Sequence, residues 1–380
     1  MFQYHKKLLI SALILLILSL SCKPNVTPPI PEPDLATATR TILLAITNTP
    51  TSTLSPTVTH TPEFVPSRTP TPFLPVGLEK IESRNVDSIE VVSQLPVKEI
   101  YELVFSPSGD KMATISERWT DRSKYIQVWD LSTGAPIFSL ENVGNPSKLF
   151  FSGDEAKLHV FIPYQSIEIY DLTQEVMTGT VDIVADQIAF SDDGRFIASG
   201  AYRGTLDESI IMVLEPSTNQ EVLTLSNPGM VMHISFSPKA DRVVAGFQIN
   251  NHYRVNIWDT RTGELLKDLI DYETPIFSPD GTEAVTSNRD RIYVFDTASW
   301  VIKYSVEVGG TQSTYLLDFS PDGGLLAVRH GYDIVFLDAD DGQELFILPD
   351  ECETTFSPTN YYLVTWCYQS DLKIWGIPSE

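Results

Sequence analysis

Residues 319–323 read FSPDG, and residues 277–281, 42 positions earlier, read FSPDG as well. Five relatives of the phrase occur elsewhere: FSPSGD from Phe105, FSGDEA from Phe151, FSDDGR from Phe190, FSPKAD from Phe236 and FSPTNY from Phe356. The seven starts are spaced by 46, 39, 46, 41, 42 and 37 residues. A period near 42 predicts a repeat architecture. Each phrase lies between two β-like runs, as in YELVFSPSGDKMATIS at 101–116. Proline followed by Asp, Ser or Gly marks a tight turn, so each phrase predicts a hairpin. A third run and a second turn follow downstream, in IQVWDLSTGAPIFSL, VNIWDTRTGELLKDL and IVFLDADDGQELFIL. Gly134, Gly263 and Gly342 occupy the position in that turn that asks for a left-handed backbone, and Asn219 takes it in LEPSTNQEV. Four strands per unit and seven units predict an all-β chain folded as a seven-bladed β-propeller.

The VWD at 128–130 and IWD at 257–259 resemble the WD40 family, and the resemblance spans the chain from the first repeat onward. Other units carry YD, FD or LD at this point, and the family's Gly-His dipeptide is missing. The resemblance implies a WD40-like ring whose loops between second and third strands share one face, the face such proteins most often use for partners. The chain ends at DLKIWGIPSE, a third strand with no room for a fourth. The segment before the first repeat, SIEVVSQL at 88–95, is a strand without a partner. Together they complete the seventh blade, which removes the open sheet edges and ties the two ends of the domain.

The N-terminus carries Lys6 and Lys7, then LLISALILLILSL at 8–20. That apolar run is shorter than the roughly 20 residues a membrane-spanning helix needs. A basic start and a short apolar core predict a signal peptide over 1–21. LSLSC resembles a bacterial lipoprotein processing site with Cys22 as the lipid-attachment residue, although Ser19 stands where leucine is usual. A freely secreted protein is the alternative. Of the 56 residues from 23 to 78, 25 are Thr or Pro, without a periodic apolar face. Residues 22–78 are therefore expected to form a disordered tether, reaching up to about 170 Å at ~3.1 Å per residue. The expected location is the extracytoplasmic face of a cell membrane, with the propeller at 79–380.

The segment 79–380 holds 47 Asp and Glu against 21 Lys and Arg, a balance of −26. Phosphate backbones would be repelled, so nucleic acid is not an expected partner. No G-x-S-x-G, H-E-x-x-H, C-x-x-C or phosphate loop is present. Neither an enzyme, nor a cofactor, nor a metal site is expected, though a propeller can assemble residues from separate blades around its axis. DADDGQE at 338–344 lacks calcium-loop spacing and aligns with WDLSTGA, a turn. His159, His233, His252 and His330 fall in different blades without ligand spacing.

Cys352 and Cys367 both belong to the seventh blade. If Phe356 faces Leu363, four steps outward along each strand set the two cysteines opposite each other. An exported protein meets an oxidising compartment, so a disulfide is expected there, with two free thiols as the alternative.

The segments joining second to third strands read SERWTDRSKY, SGAYRGTLDES, GFQINNHYRV, TSNRDRI and VRHGYD, and hold seven of the domain's eleven arginines. The partner-binding candidates are Arg122, Tyr202, Arg203, Tyr253, Arg254, Arg289, Arg291, Arg329 and Tyr332. Arginine with tyrosine or tryptophan is the composition of binding hot spots. The expected function is a monomeric, membrane-anchored scaffold that docks an acidic protein or peptide on this face. A lectin-like propeller binding carbohydrate or another small ligand is the rival, favoured if exposed aromatics converge on a pocket. A propeller hydrolase ranks below both.

Overall fold

The structure is a computed structural model that describes residues 72–379, apart from 205–206, 216–219, 251, 289–290 and 308–313. Cys22 and the signal sequence lie outside the described residues, as do Asn219 and Arg289. The described residues form seven antiparallel sheets, six of them four-stranded blades with their strands in chain order and the last a five-stranded one completed from the N-terminal side. Blade one, for example, runs Ile100–Phe105, Lys111–Glu117, Lys124–Asp130 and Ala135–Glu141.

The invariant Phe-Ser of the repeat has two separable jobs. Each serine closes its own turn. The Oγ of Ser106, Ser152, Ser191, Ser237, Ser278, Ser320 and Ser357 accepts the backbone N–H five residues on, at 2.8–3.4 Å. Each phenylalanine packs between blades. Phe105, Phe151, Phe190, Phe236, Phe277, Phe319 and Phe356 each join a different one of seven apolar clusters. Those clusters lie between successive blades in cyclic order, from one–two through six–seven to seven–one. The ring is therefore closed by packing as well as by pairing.

The second strands read as near-continuous apolar runs because both of their faces are covered. Met112 packs toward blade seven and Ala113 toward blade two. Leu325 and Leu326 divide in the same way between blades seven and five. Side chains alternate across a strand, so adjacent residues serve opposite interfaces.

Glycine turns out to be replaceable in the first turn. Gly109, Gly194, Gly281 and Gly323 have φ between +68° and +79°, and Glu155, Ala240 and Asn360 take the same position at +53° to +63°. In the second turn Gly134, Gly263 and Gly342 sit at +70° to +77°, with Glu175 and Trp300 equivalent. The Asp of the Trp-Asp pair persists because its carboxylate caps that turn. Asp130 and Asp259 each accept two backbone N–H groups, from residues two and three positions on. DADDGQE is built alike, with Asp338 accepting the N–H of Asp340.

Blade seven consists of Glu353–Phe356, Tyr362–Trp366 and Leu372–Pro378, closed by Glu90–Leu95 as its outer strand. The expected closing strand is thus present, two residues shorter than read. The compact unit begins at Pro72, earlier than the boundary at 79. Phe73, Leu74 and Leu78, counted with the tether, pack against the cluster between blades seven and one. Leu78–Glu79 pairs with Ile377 and Pro378. Apolar side chains inside a Thr/Pro-rich stretch mark where the fold starts.

Candidate functional site

In an antiparallel blade the second-to-third hairpin and the connection to the next blade emerge at the same end, opposite the FSPDG turns. The face so formed carries the candidate residues, but the hairpins are tighter than their sequences suggest. Ile249 pairs with His252 and His330 with Asp333, so the ladders run almost to the tips. Tyr202, Arg203, Tyr253, Arg254, Arg291 and Arg329 are consequently strand residues, not loop tips. Arg122 and Tyr332 are in loops.

Most of these arginines are already engaged. Arg122 Nη1 donates to Glu117 Oε1 at 2.8 Å. Arg254 forks onto Asp268, Nε to Oδ1 at 2.8 Å and Nη2 to Oδ2 at 2.5 Å. Arg291 pairs with Glu307 at 2.7 Å, Arg329 with Glu353, and Arg118 with Glu141. Arg203 has no ion-pair partner among the described residues. The expectation that these guanidinium groups await a partner's carboxylates is corrected for the paired ones: each already holds one of the chain's own acids, and Arg254 is occupied on both prongs. Exposed pairs of this kind contribute about 0–1 kcal/mol each to stability, so they mainly fix geometry. Tyr253 is half-buried with its hydroxyl on Thr274, and Tyr202 donates to Asp207. Tyr332 is 76 % exposed.

The exposed aromatics that do converge lie where blade seven meets blade one. Trp119, 62 % exposed, meets Tyr368, 50 % exposed, edge-on at 6.3 Å. Arg122 stacks on Trp119 at 5.1 Å. Tyr101 is the extra residue of a β-bulge between Ile100 and Glu102, which turns its ring outward to 50 % exposure. Lys124 lies over that ring at 5.0 Å. Burial, and then the Glu117 carboxylate nearby, push the Tyr101 phenol above its ordinary range. Glu117 is held below its ordinary value, first by the Arg122 hydrogen bond. Beside this patch opens a cleft of about 400 Å³ lined by Lys98, Glu99, Glu117, Arg118, Trp119, Tyr125, Gln127 and Glu141.

Two features stiffen the seam. Cys352 and Cys367 are joined, with Cα atoms 5.1 Å apart, and Phe356 does face Leu363. The bridge fastens the start of the loop that carries Tyr368. Glu99 sits at φ +53°, its N–H on the Tyr368 carbonyl at 3.3 Å and its own carbonyl accepting the Glu117 N–H at 3.1 Å.

Around the axis the perturbed carboxylates join adjacent blades. Asp318 accepts Thr355 and the Phe356 N–H from blade seven, Glu102 pairs with Lys148 at 3.0 Å, and burial raises the pKa of both acids. Burial also drops His233 to about 4. Among the described residues, no group of three or more His, Cys, Asp and Glu could hold a metal ion.

Comparison with models of known protein families gives no match to the chain, and no curated protein matches it. The fold class is that of a seven-bladed β-propeller, and the likeness to WD40 repeats rests on the turn chemistry and blade pattern described above.

Proposed function

We propose that this protein is a tethered extracytoplasmic interaction module, not an enzyme, that docks a protein or peptide partner on the face formed by the second-to-third hairpins. The observation that carries the reading is the patch Trp119–Arg122–Tyr368. It combines the three residue types most enriched at interface hot spots, exposed and held in place by an ion pair and, at the start of the Tyr368 loop, a disulfide. Preorganisation of that kind lowers the ordering cost of association. The raised acids at the axis have structural employment between blades, which supports a binding role over a hydrolytic one. The signal-like N-terminus, Cys22 and the Thr/Pro tract support an anchor and a spacer.

The test is crosslinking in intact cells followed by capture of the full chain, with Trp119→Ala/Tyr368→Ala beside the parent. Partner recovery should fall about tenfold or more with an unaltered melting curve. Equal recovery from both proteins would place the docking surface elsewhere.

A further inference from the structure

We infer that the cleft on blade one, beside its seam with blade seven, is a saccharide site, taking an uncharged segment of a glycan with one sugar ring against Trp119. The inference goes beyond the docking of a protein partner and does not rest on it, because a soluble sugar can occupy the cleft alone.

The first argument is charge. All but one of the ionic groups at the cleft are neutralised in pairs, Arg118 by Glu141, Glu117 by Arg122 and Lys98 by Asp371 at 3.5 Å, while Glu99 has no ion-pair partner among the described residues. An anionic ligand would have to compete with one of these pairs and would meet the Glu99 carboxylate besides. A polyhydroxylated one need not, because a paired carboxylate keeps free lone pairs and a guanidinium keeps free N–H groups. Hydroxyls both donate and accept, so they suit a wall that offers both in fixed positions.

The second argument is what remains unused. The Glu99 carboxylate and the Gln127 amide line the cleft and make no side-chain hydrogen bond among the described residues. Glu99 is not loose: its left-handed backbone is pinned from both sides, by Tyr368 and by Glu117. One acceptor group and one donor–acceptor group therefore face the cleft from rigid supports.

The third argument is the indole. An aromatic face is electron-rich and attracts the polarised C–H groups of a sugar ring as it attracts a cation. Arg122 covers part of Trp119, and at 62 % exposure the ring keeps open surface for a ligand. Tyr125, the other aromatic at the cleft, is stacked under Arg118, so little apolar lining is left for a hydrophobic peptide side chain.

The experiment is a neutral-oligosaccharide array probed with the full chain, covering glucan, mannan, xylan and chitin fragments, with titration calorimetry on the strongest hit. Binding of at least one uncharged oligosaccharide is expected. Trp119→Ala should weaken it about tenfold or more, Gln127→Ala less, with melting unchanged for both. Four outcomes would overturn the inference: no array signal; a signal indifferent to Trp119→Ala; binding confined to sulfated or uronic polymers; or a cleft that takes only peptides. The last would leave the docking proposal standing, whereas sugar binding without partner capture would sink docking alone.

Discussion

Replacing Asp318 with asparagine isolates one buried charge in the inner ring. Asp318 Oδ2 accepts the Thr355 hydroxyl at 2.7 Å and the Phe356 N–H at 3.1 Å, so it ties the first strands of blades six and seven. Despite both donors, burial raises its pKa from 3.8 to about 6. The folded state thus prefers the protonated acid. The resulting stabilisation is fully present below pH ~4 and is lost as pH rises through about 6. Above that the carboxylate stays charged at a cost set by the shift, roughly two units at 1.36 kcal/mol each, or about 3 kcal/mol. The residue keeps partial solvent contact, so this is an upper bound. Asparagine retains an acceptor oxygen of the same reach without the charge. Asp318→Asn should be more stable than the parent at pH 8, by up to about 3 kcal/mol, with the gain vanishing near pH 4. Urea unfolding across pH 4–8 measures the difference, and titrations common to both proteins cancel. Asp318→Ala is the control: it removes the same charge but orphans the Phe356 N–H, so it should lie below Asp318→Asn by about 1–3 kcal/mol at every pH. A variant less stable than the parent at pH 8, or a difference that does not move with pH, would refute the reasoning. It would mean that the two donors outweigh burial.

The disulfide, two turn glycines and the N-terminal cysteine can each be tested separately. Mass spectrometry of unreduced, exported protein should find the Cys352 and Cys367 peptides linked, and reduction should cost about 3 kcal/mol for a loop of 15 residues; two freely alkylated thiols would remove the bridge. Gly194→Ala and Gly342→Ala should separate backbone strain from packing. At Gly194 a Cβ meets nothing within 4 Å, so only the positive φ is felt, about 1–2 kcal/mol; at Gly342 it would lie 2.1 Å from Val306 Cγ2 of the preceding blade, and the loss should be clearly larger. Cys22→Ser should shift the protein from the membrane fraction to a soluble or signal-uncleaved form, and unchanged fractionation with normal processing would discard the lipid anchor.

What was legible in the sequence, and what was not, divides along the reach of the interactions. Ser320 bonds five residues away and Asp130 two or three, so the turn chemistry is written locally and repeats visibly even where the glycine has become Glu155, Ala240 or Asn360. The Phe of each repeat is equally visible because the ring asks for one per interface. The closing strand could be read because DLKIWGIPSE left a blade one strand short. The seam between blades seven and one obeys no such local rule. Tyr368 and Trp119 come from opposite ends of the domain and meet only when the ring closes. Tyr101 sat in a run that reads as plain strand, and the bulge exposing it leaves no mark in YELVF. One signal was available: CYQSD occupies in blade seven the position that SERWTDRSKY occupies in blade one.

The arginines teach the complementary lesson about charge. Counted along the hairpins they appear as unspent donors in an acidic protein, which points to an acidic partner. Their acids lie on other strands: Asp268 and Glu307 on outer strands, Glu353 on the inner strand of the next blade. Cross-strand and cross-blade neighbours are set by register, so a count along the chain cannot see them. Once the pairs are drawn, charge is mostly cancelled in the guanidinium forks, and what the face still offers is shape, aromatic surface and fixed hydrogen-bonding groups. Those properties select by fit, and they concentrate at the one junction where the bulge, the disulfide and the closing strand meet. The seam that completes the ring is therefore also where the proposed docking and saccharide sites find their fixed aromatic and polar groups.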